Sequence, residues 1–156
     1  MQGDISTFLI GALAIMLLVA AIGDLRTREI SNVLNGVIAL LAIPFWFSLG
    51  LDPWPGMALQ VGVALGVFLV FALLFHFGMM GGGDVKLLAA LALWLPVGAV
   101  LNLLVIMSIV GGLLTLVMML RHRMKKNEGE LEVPYGVAIA LGGFWVIAEP
   151  FLNHFA

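Results

Sequence analysis

Long apolar runs alternate with short polar or turn-forming segments along this chain. The runs cover residues 6–23, 33–49 and 57–77, then 85–120, and last 133–148. After Lys86 the fourth run carries no charge as far as Leu120. It is too long for one spanning helix of about 20 residues, and this predicts two short ones. Pro96-Val97-Gly98 supplies the bend between them. Leu51-Asp52-Pro53-Trp54-Pro55-Gly56 reads as a turn because it contains two prolines and a glycine. The pattern predicts an all-α integral membrane protein with six transmembrane helices in one domain, residues 1–156. The first run is expected to be a retained helix. No Lys or Arg precedes it, and it exceeds the apolar core of about 7–15 residues of a signal peptide.

Composition sharpens the picture. Apolar residues make up 63% of the 156 and charged residues 10%. A soluble domain has about 45–50% and about 25%. A net charge of −2 without a basic domain leaves no footprint for nucleic acid. The absence of cysteine excludes disulfides, zinc ribbons and thiol nucleophiles.

The seven basic residues are Arg26, Arg28, Lys86, Arg121, Arg123, Lys125 and Lys126. They fall in alternate loops. The positive-inside rule places those loops in the cytoplasm and both termini outside. Asp24 and Asp84 then end helix one and begin helix four at the same cytoplasmic depth. Trp46 and Trp54 suit an interfacial belt. Gly62 and Gly66 have a spacing that lets helices pack closely.

A carboxylate among apolar helices is a functional-site hypothesis by default. Asp84 follows Gly81-Gly82-Gly83, whose lack of Cβ atoms allows close backbone approach. Two neighbouring carboxylates share a proton. The ionised one can activate water while the protonated one donates to a carbonyl oxygen. That is peptide hydrolysis without metal or cofactor. Ser6, Ser31, Ser48 and Ser108 lack a matched His and acid. His76, His122 and His154 are too scattered for metal-ligand spacing. The plainer alternatives are Asp84 as an N-cap of helix four, and Asp24 as a solvated acid paired with Arg26 or Arg28.

Gly81-x-Gly83-Asp84, with Val85-Lys86-Leu87-Leu88, resembles the GxGD motif of the type IV prepilin peptidases, which are polytopic aspartic proteases. Asp24 with Ile30-Ser31-Asn32 is similar to the family's first aspartate and its downstream I-P-N. Serine stands here where the family has proline, which implies a less rigid loop. Val133-Pro134-Tyr135-Gly136-Val137-Ala138 is similar to the P-[YF]-G-x-A segment that opens the family's last helix.

The resemblance implies that Asp24 and Asp84 are catalytic, with Gly81, Gly83 and Lys86 in the active-site loop. It names no metal, no cofactor and no substrate-binding residue. It implies a prepilin substrate with a basic leader and an apolar helix, cut at the cytoplasmic face of the inner membrane. Larger members carry an insert with paired Cys-x-x-Cys motifs and N-methylate the new terminus. Lacking both cysteines and insert, the chain resembles the short members that serve Flp-type (tight-adherence) pili, so no methyl transfer is expected. An archaeal-type preflagellin peptidase is the alternative within the family.

Other classes remain as alternatives. Acids in membrane helices also mark ion paths, but no broken helix pair or internal repeat accompanies these. A non-enzymatic subunit of a secretion or pilus machine would use Asp84 as a cap. Presenilin-type proteases also carry GxGD, but they set the first aspartate within an apolar helix after tyrosine. Lys86 is read as an interfacial lysine or as a group tuning Asp84. Glu29 is expected to be solvated and His76 packed or interfacial. Glu128, Glu130 and Glu132 would attract a basic leader. Arg121 to Lys126 would anchor the topology and touch anionic lipid.

Overall fold

The computed structural model describes residues 2–125 and 133–152. Lys126, Asn127, the acidic residues Glu128, Glu130 and Glu132, and His154 lie outside them. The described residues form six helices and no strand: α1 (Gln2–Thr27), α2 (Asn32–Ser48), α3 (Ala58–His76), α4 (Gly82–Ala92), α5 (Val97–Lys125) and α6 (Tyr135–Leu152). Pro53–Met57 is an irregular turn before α3, with Trp54 extended. Segments Asp4–Thr27, Pro53–His76 and Val97–His122 are long and apolar enough to cross a membrane. The chain therefore reads as a membrane protein.

The fourth apolar run does bend at Pro96, but not into two short helices. It forms one short helix and one long one: α4 has 11 residues and α5 has 29. At 1.5 Å per residue, α4 extends only about 16 Å, roughly half the hydrocarbon thickness. Proline explains where the break falls, since it disfavours helical backbone at the residue before it. Two tryptophans hold the break. Trp46 donates its indole N–H to Leu93 O at 2.8 Å, and Trp94 donates to Ile38 O at 2.9 Å. Trp94 also stacks on Phe45, with ring centroids 4.8 Å apart. Trp46 is thus a buried partner of the end of α4 and not a belt residue, while Trp54 is 81% exposed.

Short as it is, α4 is the hub. It packs against α2, α3 and α6, and seven of its eleven residues are buried. Leu87, Leu88 and Leu91 are inaccessible to solvent. By contrast, Gly62 and Gly66 on α3 meet nothing within 4 Å, so they do not serve the helix packing expected of them. α6 packs against the first half of α5, where Gly142 lies against Leu103 and Met107. Gly111 of α5 lies against the Tyr135 ring at the start of α6. Residues 112–125 of α5 consequently run on past that level, by about 20 Å of helix rise.

Candidate active site

α1 does not end at Asp24, where the first apolar run and the charges after it predict its end. It continues to Thr27, so Asp24 stands one turn before the helix end and is 4% exposed. The chain then reverses through Arg28, whose φ of 58° is left-handed. Its N–H closes on Asp24 O at 3.1 Å. A residue with a Cβ in that region carries roughly 1–2 kcal/mol of strain. The reversal keeps the positive charge of Arg28 within reach of the Asp24 carboxylate.

The Asp24 side chain is held by α6. Its Oδ2 accepts the N–H of Val137 at 3.2 Å, and the Gly136 amide also faces it. The first N–H groups of a helix have no partner within it, and they favour an anion. Val133 and Pro134, which precede α6, have no side chain able to cap it. Asp24 does that from another helix. The one local sign in the sequence is the lack of a capping side chain before this apolar run, and it does not say which carboxylate supplies the cap.

Asp84 lies in the first turn of α4 and is 8% exposed. It is not the N-cap; Gly81 holds that position, with φ −71° and ψ 144°. Asp84 is three residues further on and reaches back to the Gly81 amide. This is the carboxylate half of a capping box. The glycines have separate reasons to be there. A Cβ on Gly81 would lie 2.8 Å from Asp84 Oδ2. A Cβ on Gly83 would lie 3.2 Å from the backbone oxygen of Ile30 and 3.3 Å from its nitrogen.

The loop between α1 and α2 is thereby docked onto α4. Asn35 Nδ2 donates to Gly83 O at 3.0 Å, and Lys86 Nζ donates to Asn32 Oδ1 at 2.7 Å. Ser31 caps α2 by accepting the Val33 N–H at 3.2 Å. Its φ of −57° is one that proline would also hold.

Both aspartates line one polar cleft of about 710 Å³. They are near enough for the charge of Asp24 to be felt at Asp84. Arg28, Glu29, Met79 and Tyr135 form further parts of the wall, and so does Gly81. Glu29 is exposed, as expected, yet it belongs to this wall. Lys86 does not; it is exposed and lines a second cavity, between α2, α3 and α4. Gly83 serves the cleft from behind, as the contact surface for Ile30. His76 is exposed, with its ring edge against Phe77. Ser48 and Ser108 donate their hydroxyls to carbonyls of their own helices. Among the described residues no group of three or more His, Cys, Asp or Glu side chains is placed to hold a metal ion.

A model of the type IV leader peptidase family matches residues 11–116. The chain belongs to that family. The match takes in Asp24, Ile30-Ser31-Asn32 and the glycine stretch with Asp84. Pro134-Tyr135-Gly136 lies beyond it, so the part of α6 in this site rests on the structure. Comparison with curated proteins and with solved structures gave no match. Membership makes this a leader-peptidase-like protease.

Proposed function

We propose that this protein cleaves the leader peptide from a type IV prepilin of the Flp type, with Asp24 and Asp84 as an aspartic dyad. The observation that carries the reading is the shared cleft. Two carboxylates from distant parts of the sequence are buried, yet both open onto the same polar space. One carboxylate, ionised, takes a proton from water as the water attacks the scissile carbonyl carbon. The other, protonated, donates to the carbonyl oxygen, giving a neutral tetrahedral diol. Its collapse breaks the C–N bond: the proton held by the first carboxyl passes to the leaving amine, and the second carboxylate takes back a proton from a diol hydroxyl, which frees the new acid and restores the pair. No covalent intermediate forms and no metal or cofactor takes part.

The substrate chemistry follows the surroundings. Glu29 on the cleft wall gives a basic leader an opposite charge to meet. The apolar helix that follows the leader suits a site built among membrane helices. We place the enzyme in the inner membrane as a single domain of six membrane-embedded helices, with both termini outside and the cleft at the cytoplasmic face. We assign it no methyl-transfer activity.

Co-expression with a candidate Flp prepilin tests the reading. Wild-type protein should convert the prepilin to its shorter form, whereas Asp24→Asn and Asp84→Asn should each abolish conversion and still insert. Glu29→Gln should raise KM at most. If Glu29→Gln ends cleavage while Asp24→Asn does not, Asp84 has been paired with the wrong acid. Normal cleavage by Asp84→Asn would refute the dyad outright.

A further inference from the structure

The second cavity, of about 480 Å³, lies outside the aspartate cleft, between α2, α3 and α4. On α2 it is bounded by Asn32, Asn35, Gly36 and Ala39, one face at helical spacing. On α4 it begins at Lys86, and on α3 it includes Phe68. Asn32 opens α2 and Lys86 is the fifth residue of α4, so the polar groups gather at one end. The rest of the lining is apolar. Among the described residues Lys86 is the one charged residue in it, which gives this lining a net positive charge.

One atom in this wall has no internal explanation. Asn35 is 5% exposed, and its Nδ2 is committed to Gly83 O. Among the described residues nothing donates to its Oδ1. A buried acceptor without a donor is destabilising, and such a group in a native structure calls for a partner. Lys86 has spare capacity too. Its ammonium carries three N–H donors, and Asn32 takes one.

An occupant must therefore offer three things: an anion for Lys86, a hydrogen-bond donor for Asn35, and an apolar tail. We propose that this groove binds one molecule of phosphatidylglycerol, with its phosphate on Lys86, a glycerol hydroxyl of its head group donating to Asn35 Oδ1, and an acyl chain laid along Ala39 and Phe68. Phosphatidylcholine has the phosphate but no donor. Phosphatidylethanolamine has a donor but no net charge to match Lys86. A basic prepilin leader would be repelled at this mouth.

The test uses the full chain purified from vesicles holding equal amounts of these three lipids, with retained lipid measured by native mass spectrometry. Wild-type protein should keep one phosphatidylglycerol in preference to the other two. Lys86→Gln should weaken that preference about fivefold, the usual effect of one basic residue near an anionic lipid surface. Gly36→Leu should empty the groove. A Cβ there meets nothing within 4 Å, so the fold has room for the change. Equal retention of phosphatidylcholine or phosphatidylethanolamine would overturn the proposal, as would unchanged retention in Gly36→Leu. So would a photo-crosslinker at Ala39 that captures the apolar helix of a co-expressed prepilin instead of lipid.

Discussion

Gly136 presses its α-carbon against Asp24. A Cβ at Gly136 would lie 2.8 Å from Asp24 Oδ2 and 2.7 Å from Ile30 Cδ1. The start of α6 thus approaches the carboxylate as closely as only glycine permits, and this is what brings its first amides into reach, the Val137 N–H being shared between Asp24 and Pro134 O. Gly136→Ala should displace the carboxylate and lower cleavage by about a hundredfold, the loss associated with a misplacement of about 1 Å. Gly112→Ala, on an open surface, should leave turnover unchanged. A prepilin cleavage assay on membranes compares the two. Wild-type rates from Gly136→Ala would show that Asp24 does not depend on this contact.

Gly83 offers a similar experiment from the other side. Its neighbour is the backbone of Ile30, which cannot rotate away as a side chain can. Gly83→Ala should push the loop after α1 off α4 and weaken the Asn35 and Lys86 hydrogen bonds that hold it. Cleavage should fall at least tenfold, with a lower thermal midpoint than Gly62→Ala, whose site is open. Activity and melting are measured on the same purified samples.

The elements of this fold were legible where the sequence acts locally. The runs at 33–49 and 57–77 lie within a residue or two of α2 and α3. Both acids stood out because carboxylates are rare among apolar helices. Contacts between distant segments were not legible. No periodicity announces that Trp46 will bond Leu93, or that Val137 will meet Asp24 across 113 residues. The unequal lengths of α4 and α5 escaped for the same reason: apolar content measures total length, and tertiary partners decide where a helix stops. Lys86 shows the limit of spacing. It is two residues from Asp84, yet it faces another cavity, because neighbouring positions on a helix diverge.

The indole bond at the end of α4 predicts a stability effect separate from catalysis. Trp46→Phe keeps most of the ring but leaves Leu93 O without its donor. The expected loss is about 1–3 kcal/mol, typical of a buried group left unsatisfied. Denaturation in mild detergent should show it. Unchanged stability would mean that the carbonyl finds another donor.

Topology can be read by labelling, since the chain has no native cysteine to confuse it. Single cysteines at Ser6 and Asp52 should react with an impermeant reagent from outside intact cells. One at Arg121 should react only after lysis. Labelling of Arg121 in intact cells would contradict the arrangement with the basic loops inside and both termini outside. Failure at Asp52 would instead place the turn before α3 within the membrane.

The most exacting prediction concerns the length of the acids. Asp24→Glu keeps the charge, as does Asp84→Glu, so a purely electrostatic role would survive either change. Hydrolysis by a shared proton would not. Asp24 is confined by Gly136 and the Val137 amide, and Asp84 by the Gly81 amide. One added methylene moves a carboxylate by about 1 Å, which is enough for a loss of about a hundredfold. Each Glu variant should therefore be nearly as inactive as the corresponding Asn variant. Wild-type cleavage should also follow a bell-shaped pH profile, its two limbs belonging to the pair and not to either residue. A single-limbed profile together with active Glu variants would point to one working carboxylate and leave the other a structural cap.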